Sequence, residues 1–111
     1  MSELEKIQEA FRSGRIQWRL HAQERLWERG IWREDIFQTV SRGRIIESYE
    51  TDKPFPSFLI YGKARGKVLH VLVAWSSIGK TAYVITAYEP DEKYFEADLK
   101  TRRRPKDDTR K

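Results

Sequence analysis

Two histidines, His21 and His70, are the residues of this sequence best suited to acid–base chemistry. His21 opens the stretch "HAQERLWERG", in which Arg25 and Arg29 follow at intervals of four and share one flank of a predicted helix. A neutral imidazole beside a guanidinium can accept a proton from a nucleophile while the cation holds a phosphate. The alternative is an ordinary solvated helix, with His21 at the N-cap and the charges in ion pairs.

His70 interrupts an otherwise apolar stretch, "KVLHVLVAW", whose two faces are both largely apolar. This pattern predicts the central strand of a sheet. A polar ring in such a strand either is satisfied by hydrogen bonds inside the core or lies where the sheet opens into a cleft. Both interpretations stay open at the level of sequence.

A third candidate is the stretch "YVITAYEP", in which Thr86 and Tyr88 point to the same face of a strand. A tyrosine here can stack on a base or donate a hydrogen bond to a phosphate oxygen, or it can simply pack its ring at the end of the strand. Whether this face meets His70 depends on the register of the preceding turn, which the sequence does not fix.

Three short helices are predicted to come first and to position these groups. The first covers residues 2–13 with Ser2 as its cap, and the second runs from near His21 to Gly30, which closes it in a left-handed conformation. The third is ended by Gly43. The apolar residues expected to face the sheet include Ala22, Leu26 and Trp27 in the second helix and Ile36, Phe37 and Val40 in the third.

Four strands are predicted after the helices, at "RIIESYE", "SFLIYGK", "KVLHVLVAW" and "AYVITAYE". The stretches "KARGK" and "SSIGK" are typical of hairpin turns, "DKPFPS" is expected to be an exposed loop, and "RIQWRL" alternates too briefly to assign. We therefore expect an α+β fold, with N-terminal helices packed on one face of a mostly antiparallel four-stranded sheet. Residues 1–100 form this single domain, and residues 101–111 a basic, disordered tail.

Composition narrows the classes of function. The formal charge of +5 favours polyanions such as nucleic acid, although such a charge also serves solubility. There is no cysteine, no HExxH pattern and no acidic pair at ligand spacing, so we expect neither a metal site nor a cofactor. No apolar run approaches the length of a membrane span, and a cytoplasmic location without membrane association is expected.

Six stretches in order carry a resemblance to a known family: "HAQERLWERGI", "EDI", "GRIIESYE", "PFPSFLIYG", "LHVLVA" and "ITAYEPD". Together, over about residues 16–98, they resemble DUF4258, a family of small prokaryotic proteins. That family is similar in element order to RelE-like ribonuclease toxins, including the BrnT and MqsR branches. The resemblance implies a RelE-like fold and metal-independent endoribonuclease activity on mRNA, in which the ribose 2′-hydroxyl attacks the adjacent phosphate.

The resemblance implies partners and site residues. The partners would be mRNA, either free or associated with the ribosome, and a cognate antitoxin of zinc-finger or helix-turn-helix type. Motif positions include Gly30 and Glu47, and the expected catalytic residues are His21, His70, Tyr88 and Arg25. Expected RNA-binding residues are Arg29, Arg44, Tyr49, Thr86, Arg102, Arg103 and Arg104. The alternatives are a non-catalytic module of the same fold that binds RNA or protein, and a structural protein.

Overall fold

Two helix ends, the start of α1 at Ser2 and the end of α2 at Gly30, have residues that satisfy free backbone groups. The computed structural model describes residues 1–103, with α1 at Glu3–Arg12, α2 at Ala22–Glu28 and α3 at Arg33–Arg42. Ser2 caps α1, since its hydroxyl accepts from the Glu5 N–H at 3.1 Å while the Glu5 carboxylate accepts from the Ser2 N–H at 2.8 Å. Within the described residues, no helix has the length and apolar content needed to cross a membrane.

The end of α2 confirms the predicted glycine cap. Gly30 has a φ of 69° and donates to the Trp27 carbonyl at 3.0 Å, while Ile31 donates to the Leu26 carbonyl at 2.9 Å. These two bonds define a Schellman motif, and the Ile31 side chain is buried as its hydrophobic contact. At the other end His21 occupies the N-cap position, but its side chain makes no capping hydrogen bond.

The apolar face of α2 is narrower than predicted. Ala22 and Leu26 are buried, whereas Trp27 is 71% exposed and packs edge-on against Trp32 with ring centroids 5.4 Å apart. The prediction that Trp27 faces the sheet was therefore wrong. One residue step turns a helix by about 100°, so Trp27 points away from the side on which Leu26 is buried. In α3, Ile36 and Val40 are buried as predicted, and Phe37 is 40% exposed.

Within residues 1–103 the sheet has five strands, in the order β1-β5-β4-β3-β2. They are β1 at Ile16–Trp18, β2 at Arg44–Tyr49, β3 at Ser57–Ala64, β4 at Lys67–Ser76 and β5 at Thr81–Tyr88. The four predicted strands are confirmed, but the count of four was wrong because β1 adds a parallel edge strand beside β5. Three residues are too few for a readable alternation, which is why "RIQWRL" could not be assigned as a strand.

The three loops that join β2, β3, β4 and β5 in succession lie where the sequence predicts them. Arg65 and Gly66 link β3 to β4 with positive φ values of 51° and 77°, as a two-residue primed turn requires. The "SSIGK" turn joins β4 to β5, so β3, β4 and β5 form the expected antiparallel meander. The "DKPFPS" stretch lies between β2 and β3, and its Phe55 ring stacks on Tyr83 at 5.4 Å.

The hydrophobic core lies between the helices and one face of the sheet. In the central strand β4 this inner face carries Leu69, Val71, Val73 and Trp75, which cluster with buried residues of all three helices. The outer face of the same strand carries Val68, His70, Leu72 and Ala74. The predicted central position of β4, with His70 among apolar neighbours, is confirmed.

Two glycines let α3 lie directly on the sheet. A Cβ atom added at Gly62 in β3 would come within 2.6 Å of the Thr39 carbonyl oxygen in α3, and one at Gly43, at the end of α3, within 2.5 Å of the Tyr61 carbonyl oxygen in β3. Real Cβ atoms do not approach a carbonyl so closely, so a side chain at either position would push α3 away from β3. Gly43, predicted to end α3, therefore also sets the distance between helix and sheet.

We predict that Gly62→Ala lowers the free energy of unfolding by roughly 1–3 kcal/mol, because an added methyl group overpacks the contact between α3 and β3. Gly79→Ala is the matched control, since its Cβ would meet only the Ser76 hydroxyl at 3.3 Å and the Thr81 side chain at 3.4 Å. Urea denaturation of both variants measures the difference. Equal stability of the two alanine variants would contradict the account of helix placement.

Candidate functional site

Polar and aromatic side chains gather on the outer face of the sheet. Strand register aligns Tyr61, His70 and Tyr88 in one row, because Tyr61 pairs with His70 and His70 pairs with Tyr88. The next row contains Glu47 at one end and Thr86 at the other. Tyr49 follows Glu47 by two residues on β2 and shares its face. We call Glu47, Tyr49, Tyr61, His70 and Tyr88 the sheet-face cluster.

His70 is the centre of the sheet-face cluster and is fully buried. Its Nε2 lies 2.6 Å from the Leu99 carbonyl oxygen, which can only accept, so Nε2 carries the proton. The other ring nitrogen, Nδ1, holds a lone pair and accepts from the Tyr88 hydroxyl at 3.4 Å. Burial lowers the pKa of His70, so the ring is neutral at pH 7.

Glu47 places a carboxylate on the same face of the sheet as the histidine, two strands away. Its oxygens accept from Arg102 at 3.1 and 3.0 Å and from the Tyr49 hydroxyl. Burial by itself would raise the pKa of Glu47, but the hydrogen bonds from Arg102 and Tyr49 outweigh it and hold the pKa below its usual range. Burial also raises the pKa of Tyr49 and of Tyr88. The cluster therefore combines an ionised carboxylate, a neutral imidazole and protonated phenols.

Arg29 reaches this side of the sheet from the end of α2. Its guanidinium donates to the Thr86 hydroxyl at 3.0 Å and to the Ala87 carbonyl at 2.8 Å, at the part of β5 that lies beyond the pairing with β1. Two residues chosen from the sequence, Arg29 and Thr86, are thus in direct contact. They lie beside Tyr88, which shares the outer face with Thr86.

Residues 91–103, which we call the covering segment, lie over the cluster. Phe95 is 2% exposed and meets the His70 ring edge-on, with centroids 4.6 Å apart. The Lys100 ammonium lies 4.9 Å from the Tyr61 ring centroid, and the Arg102 guanidinium lies 4.7 Å from that of Phe95. Sequence reasoning missed Phe95, Leu99 and Lys100. The one available signal was Asp98 followed by Lys100 and Thr101, a pattern that favours an Asx-type turn.

His21 and Arg25 lie apart from this cluster. His21 is exposed, and its Nδ1 lies 3.2 Å from the Glu24 carboxylate in a local i to i+3 pair. The seven residues of α2 separate it from Arg29, and the eight residue steps between them correspond to about 12 Å along the helix axis. Arg25 is exposed on α2. The two predicted histidines therefore have different surroundings, one solvated on a helix and one buried in the sheet.

The other predicted RNA-binding arginines have separate positions. Arg44 is exposed on the edge strand β2, opposite Tyr61 and two strands from His70, roughly 10 Å away. Arg102 is bound to Glu47, and Arg103 pairs with Glu96 at 3.1 Å. Arg104 lies outside the described residues, as does the remainder of the predicted basic tail.

A basic groove adjoins the cluster at Tyr61. It has a volume of about 410 Å³ and is lined by four cationic side chains, Arg42, Arg44, Lys63 and Arg65, with no acidic residue in the lining. Arg65 is also paired with the buried Asp35 at 2.7 Å, which offsets its charge. The remaining three cations and Tyr61 form a surface suited to phosphates. Among residues 1–103, no group of three or more His, Asp or Glu side chains converges as a metal site would require.

Comparison with known proteins establishes the family. Residues 18–89, well over half of the chain, match the family described as "Domain of unknown function (DUF4258)". The chain belongs to this family. No curated protein and no solved structure matches it. The match includes β2 to β5 and the whole sheet-face cluster, whereas the covering segment comes after its last residue.

We predict that stability falls as the pH drops from about 6.5 to 5. The pKa of His70 is lowered in the folded protein, so the unfolded chain takes up a proton in this range that the folded chain does not, with a slope of at most about 1.4 kcal/mol per pH unit. The contribution of Glu47 is lost only at lower pH, because its folded pKa lies below 4.5.

Urea denaturation across this pH range checks the prediction in His70→Gln, which keeps an N–H donor toward Leu99 but cannot take up the proton. The slope should disappear in that variant. His21→Gln, which removes the other histidine, should retain it. An unchanged slope in His70→Gln would show that other groups cause the pH dependence.

Proposed function

We propose that this protein is a toxin-like, metal-independent endoribonuclease whose reaction centre is the sheet-face cluster. The single observation that carries the proposal is the pairing of a neutral histidine with a protonated tyrosine, His70 and Tyr88, between a carboxylate and the Arg29 guanidinium. A lone pair on imidazole and a proton on phenol are the two groups that RNA cleavage by an internal nucleophile requires.

The proposed reaction is a transesterification. The ring nitrogen of His70 that holds the lone pair takes the proton of the ribose 2′-hydroxyl, and the 2′-oxygen bonds to the adjacent phosphorus. The bond from phosphorus to the 5′-oxygen breaks, and that oxygen takes the phenolic proton of Tyr88. The products are a 2′,3′-cyclic phosphate and a free 5′-hydroxyl. The guanidinium of Arg29, which lies beside Tyr88, is assigned to the charge of the reacting phosphate.

The basic groove supports the choice of RNA as substrate. It meets the cluster at Tyr61, so a strand bound by the cluster can continue into the groove and place flanking phosphates near Arg42, Arg44 and Lys63. Tyrosine rings beside cations are a usual combination for single-stranded nucleic acid. The RelE-like fold, the mRNA substrate and the antitoxin partner rest on family resemblance, and the cytoplasmic location rests on composition. All four stay predictions.

The cleavage proposal predicts that His70→Ala and Tyr88→Phe each lower the cleavage rate by about 10²–10⁴-fold, because each removes one proton-transfer group. The assay follows a 5′-labelled RNA with a chelator present and identifies the 2′,3′-cyclic end. His21→Ala is the matched control and also tests the other histidine predicted from sequence. A strand that contains a single ribose and is otherwise made of deoxyribose should be cut only after that ribose.

Cleavage that persists in both His70→Ala and Tyr88→Phe would exclude the cluster as the reaction centre. Loss of cleavage in His21→Ala alone would assign the reaction to α2 instead. Thermal unfolding of each variant separates loss of chemistry from loss of structure.

A second candidate function is RNA binding without cleavage. The observation that favours it is the position of His70, which is fully buried and bonded to the main chain of Leu99 while the basic groove stays open to solvent. In this case the groove, rather than the cluster, provides the biological activity.

The groove predicts a specific salt dependence for RNA binding. The double variant Arg42→Ala/Lys63→Ala should weaken binding and reduce the slope of log affinity against log salt by about 0.7 for each phosphate that the protein no longer neutralises. Lys6→Ala/Arg15→Ala removes the same charge from a separate hollow that shares no lining residue with the groove, and is the control. Fluorescence anisotropy with a labelled single-stranded RNA measures both. Equal reductions in affinity in the two double variants would show that only net charge matters.

A further inference from the structure

We infer that the covering segment and single-stranded RNA compete for the same sheet face, so that residues 91–103 act as a built-in cover of the binding site. The inference rests on the RNA-binding part of the proposed function and not on cleavage. Its basis is the way in which the segment is attached, together with the chemistry of the surface beneath it.

The main chain of the covering segment is hydrogen-bonded to itself rather than to the main chain of the sheet. Within residues 1–103, every hydrogen bond between a main-chain group of the segment and another main-chain group has both partners in the segment. Examples are the Glu96 N–H, which donates to the Thr101 carbonyl at 2.7 Å, and the Arg103 N–H, which donates to the Tyr94 carbonyl at 2.8 Å. Asp98 accepts from the Lys100 and Thr101 N–H groups at 2.8 and 2.9 Å, and these bonds lower the pKa of Asp98 to about 2. Such a loop can leave the sheet without breaking a strand ladder.

Few interactions hold the segment on the sheet. They are the Phe95 ring, the Leu99 carbonyl bonded to His70, the Lys100 ammonium on Tyr61 and the Arg102 pair with Glu47. The Arg102 side chain is 51% exposed, so water competes for this pair. A cavity of about 290 Å³ also remains between the segment and the end of β5, lined in part by Tyr88, Tyr94 and Phe95. The attachment is therefore the kind that a ligand can displace.

The covered surface specifies what kind of ligand can replace the segment. Tyr49, Tyr61 and Tyr88 offer rings for stacking, and Tyr61 leads into the basic groove. When Arg102 leaves, however, the Glu47 carboxylate loses its main hydrogen-bond donor and repels bare phosphate. A ligand must bring a donor to this point. Base amino groups and ribose hydroxyls are such donors, so the surface fits a nucleotide chain better than polyphosphate.

Arg102→Ala tests the inference through the sign of its effect. Removal of this ion pair weakens the attachment of the covering segment, so that a larger fraction of the molecules is open. The variant should therefore bind labelled single-stranded RNA about two- to fivefold more tightly. A direct bond from Arg102 to RNA predicts weaker binding instead. Arg12→Ala, which breaks an ion pair with Glu9 on α1 and removes the same charge, is the control. Phe95→Ala should tighten binding further, by about tenfold or more.

Chemical modification reports the opening itself. Diethyl pyrocarbonate should modify the exposed His21 equally in all variants, and this residue serves as the internal standard, since the chain has two histidines. His70 should be protected in the unmodified chain and should react faster in Arg102→Ala and Phe95→Ala. Inorganic polyphosphate of equal charge should compete poorly with RNA in Arg102→Ala.

Hydrogen exchange of the unsubstituted protein gives a test that needs no variant. Added RNA should speed the exchange of residues 91–103, because RNA takes their place. Slower exchange of that segment with RNA, or RNA binding in Arg102→Ala no tighter than in Arg12→Ala, would overturn the inference. If Arg102→Ala binds RNA more tightly but neither the unsubstituted chain nor any variant cleaves it, the ribonuclease proposal fails and the inference about the covering segment stands. If the unsubstituted chain cleaves RNA but Arg102→Ala binds RNA no more tightly, the ribonuclease proposal stands and the inference about the covering segment fails.

Discussion

The outer face of the sheet is organised by one buried polar group, the imidazole of His70. A histidine in the central strand cannot stay unsatisfied, because an unpaired buried polar group costs about 1–3 kcal/mol. β5 supplies the Tyr88 hydroxyl for one ring nitrogen, and the sheet supplies no comparable partner for the other. The Leu99 carbonyl of the covering segment fills that role at 2.6 Å. The hydrogen bonding of His70 thus links the central strand to the end of the described chain.

The same arrangement balances the charges beneath the covering segment. Glu47 is held ionised by Arg102 and Tyr49, and the guanidinium of Arg102 lies on the ring of Phe95, which in turn covers His70. The charge state or the burial of each of these groups therefore depends on a neighbouring group. The groups proposed for RNA chemistry are therefore present together but covered, while the basic groove beside them stays exposed. This contrast between a covered centre and an open groove underlies both candidate functions.

The sequence predicted the strands well because their apolar patterns are long and their turns carry glycine at the required positions. β1 was missed since three residues show no period, and its pairing with β5 is parallel and distant in sequence. The side-chain partners of His70 could not be predicted, because the Tyr88 contact depends on a register that includes a bulge after Leu72. Phe95 was missed for a different reason. The residues after Tyr88 show neither helical nor strand periodicity, and Phe95 is buried through a tertiary contact with His70.

The most direct measurement of the central claim is the NMR spectrum of the two histidine rings in the full chain. The account predicts that His70 is neutral with its proton on Nε2, that this proton exchanges slowly with water, and that a coupling across the hydrogen bond joins it to the Leu99 carbonyl. His21, exposed on α2, should show rapid exchange. Rapid exchange of the His70 ring proton with water would contradict the account, since it would mean that residues 91–103 do not cover the sheet face.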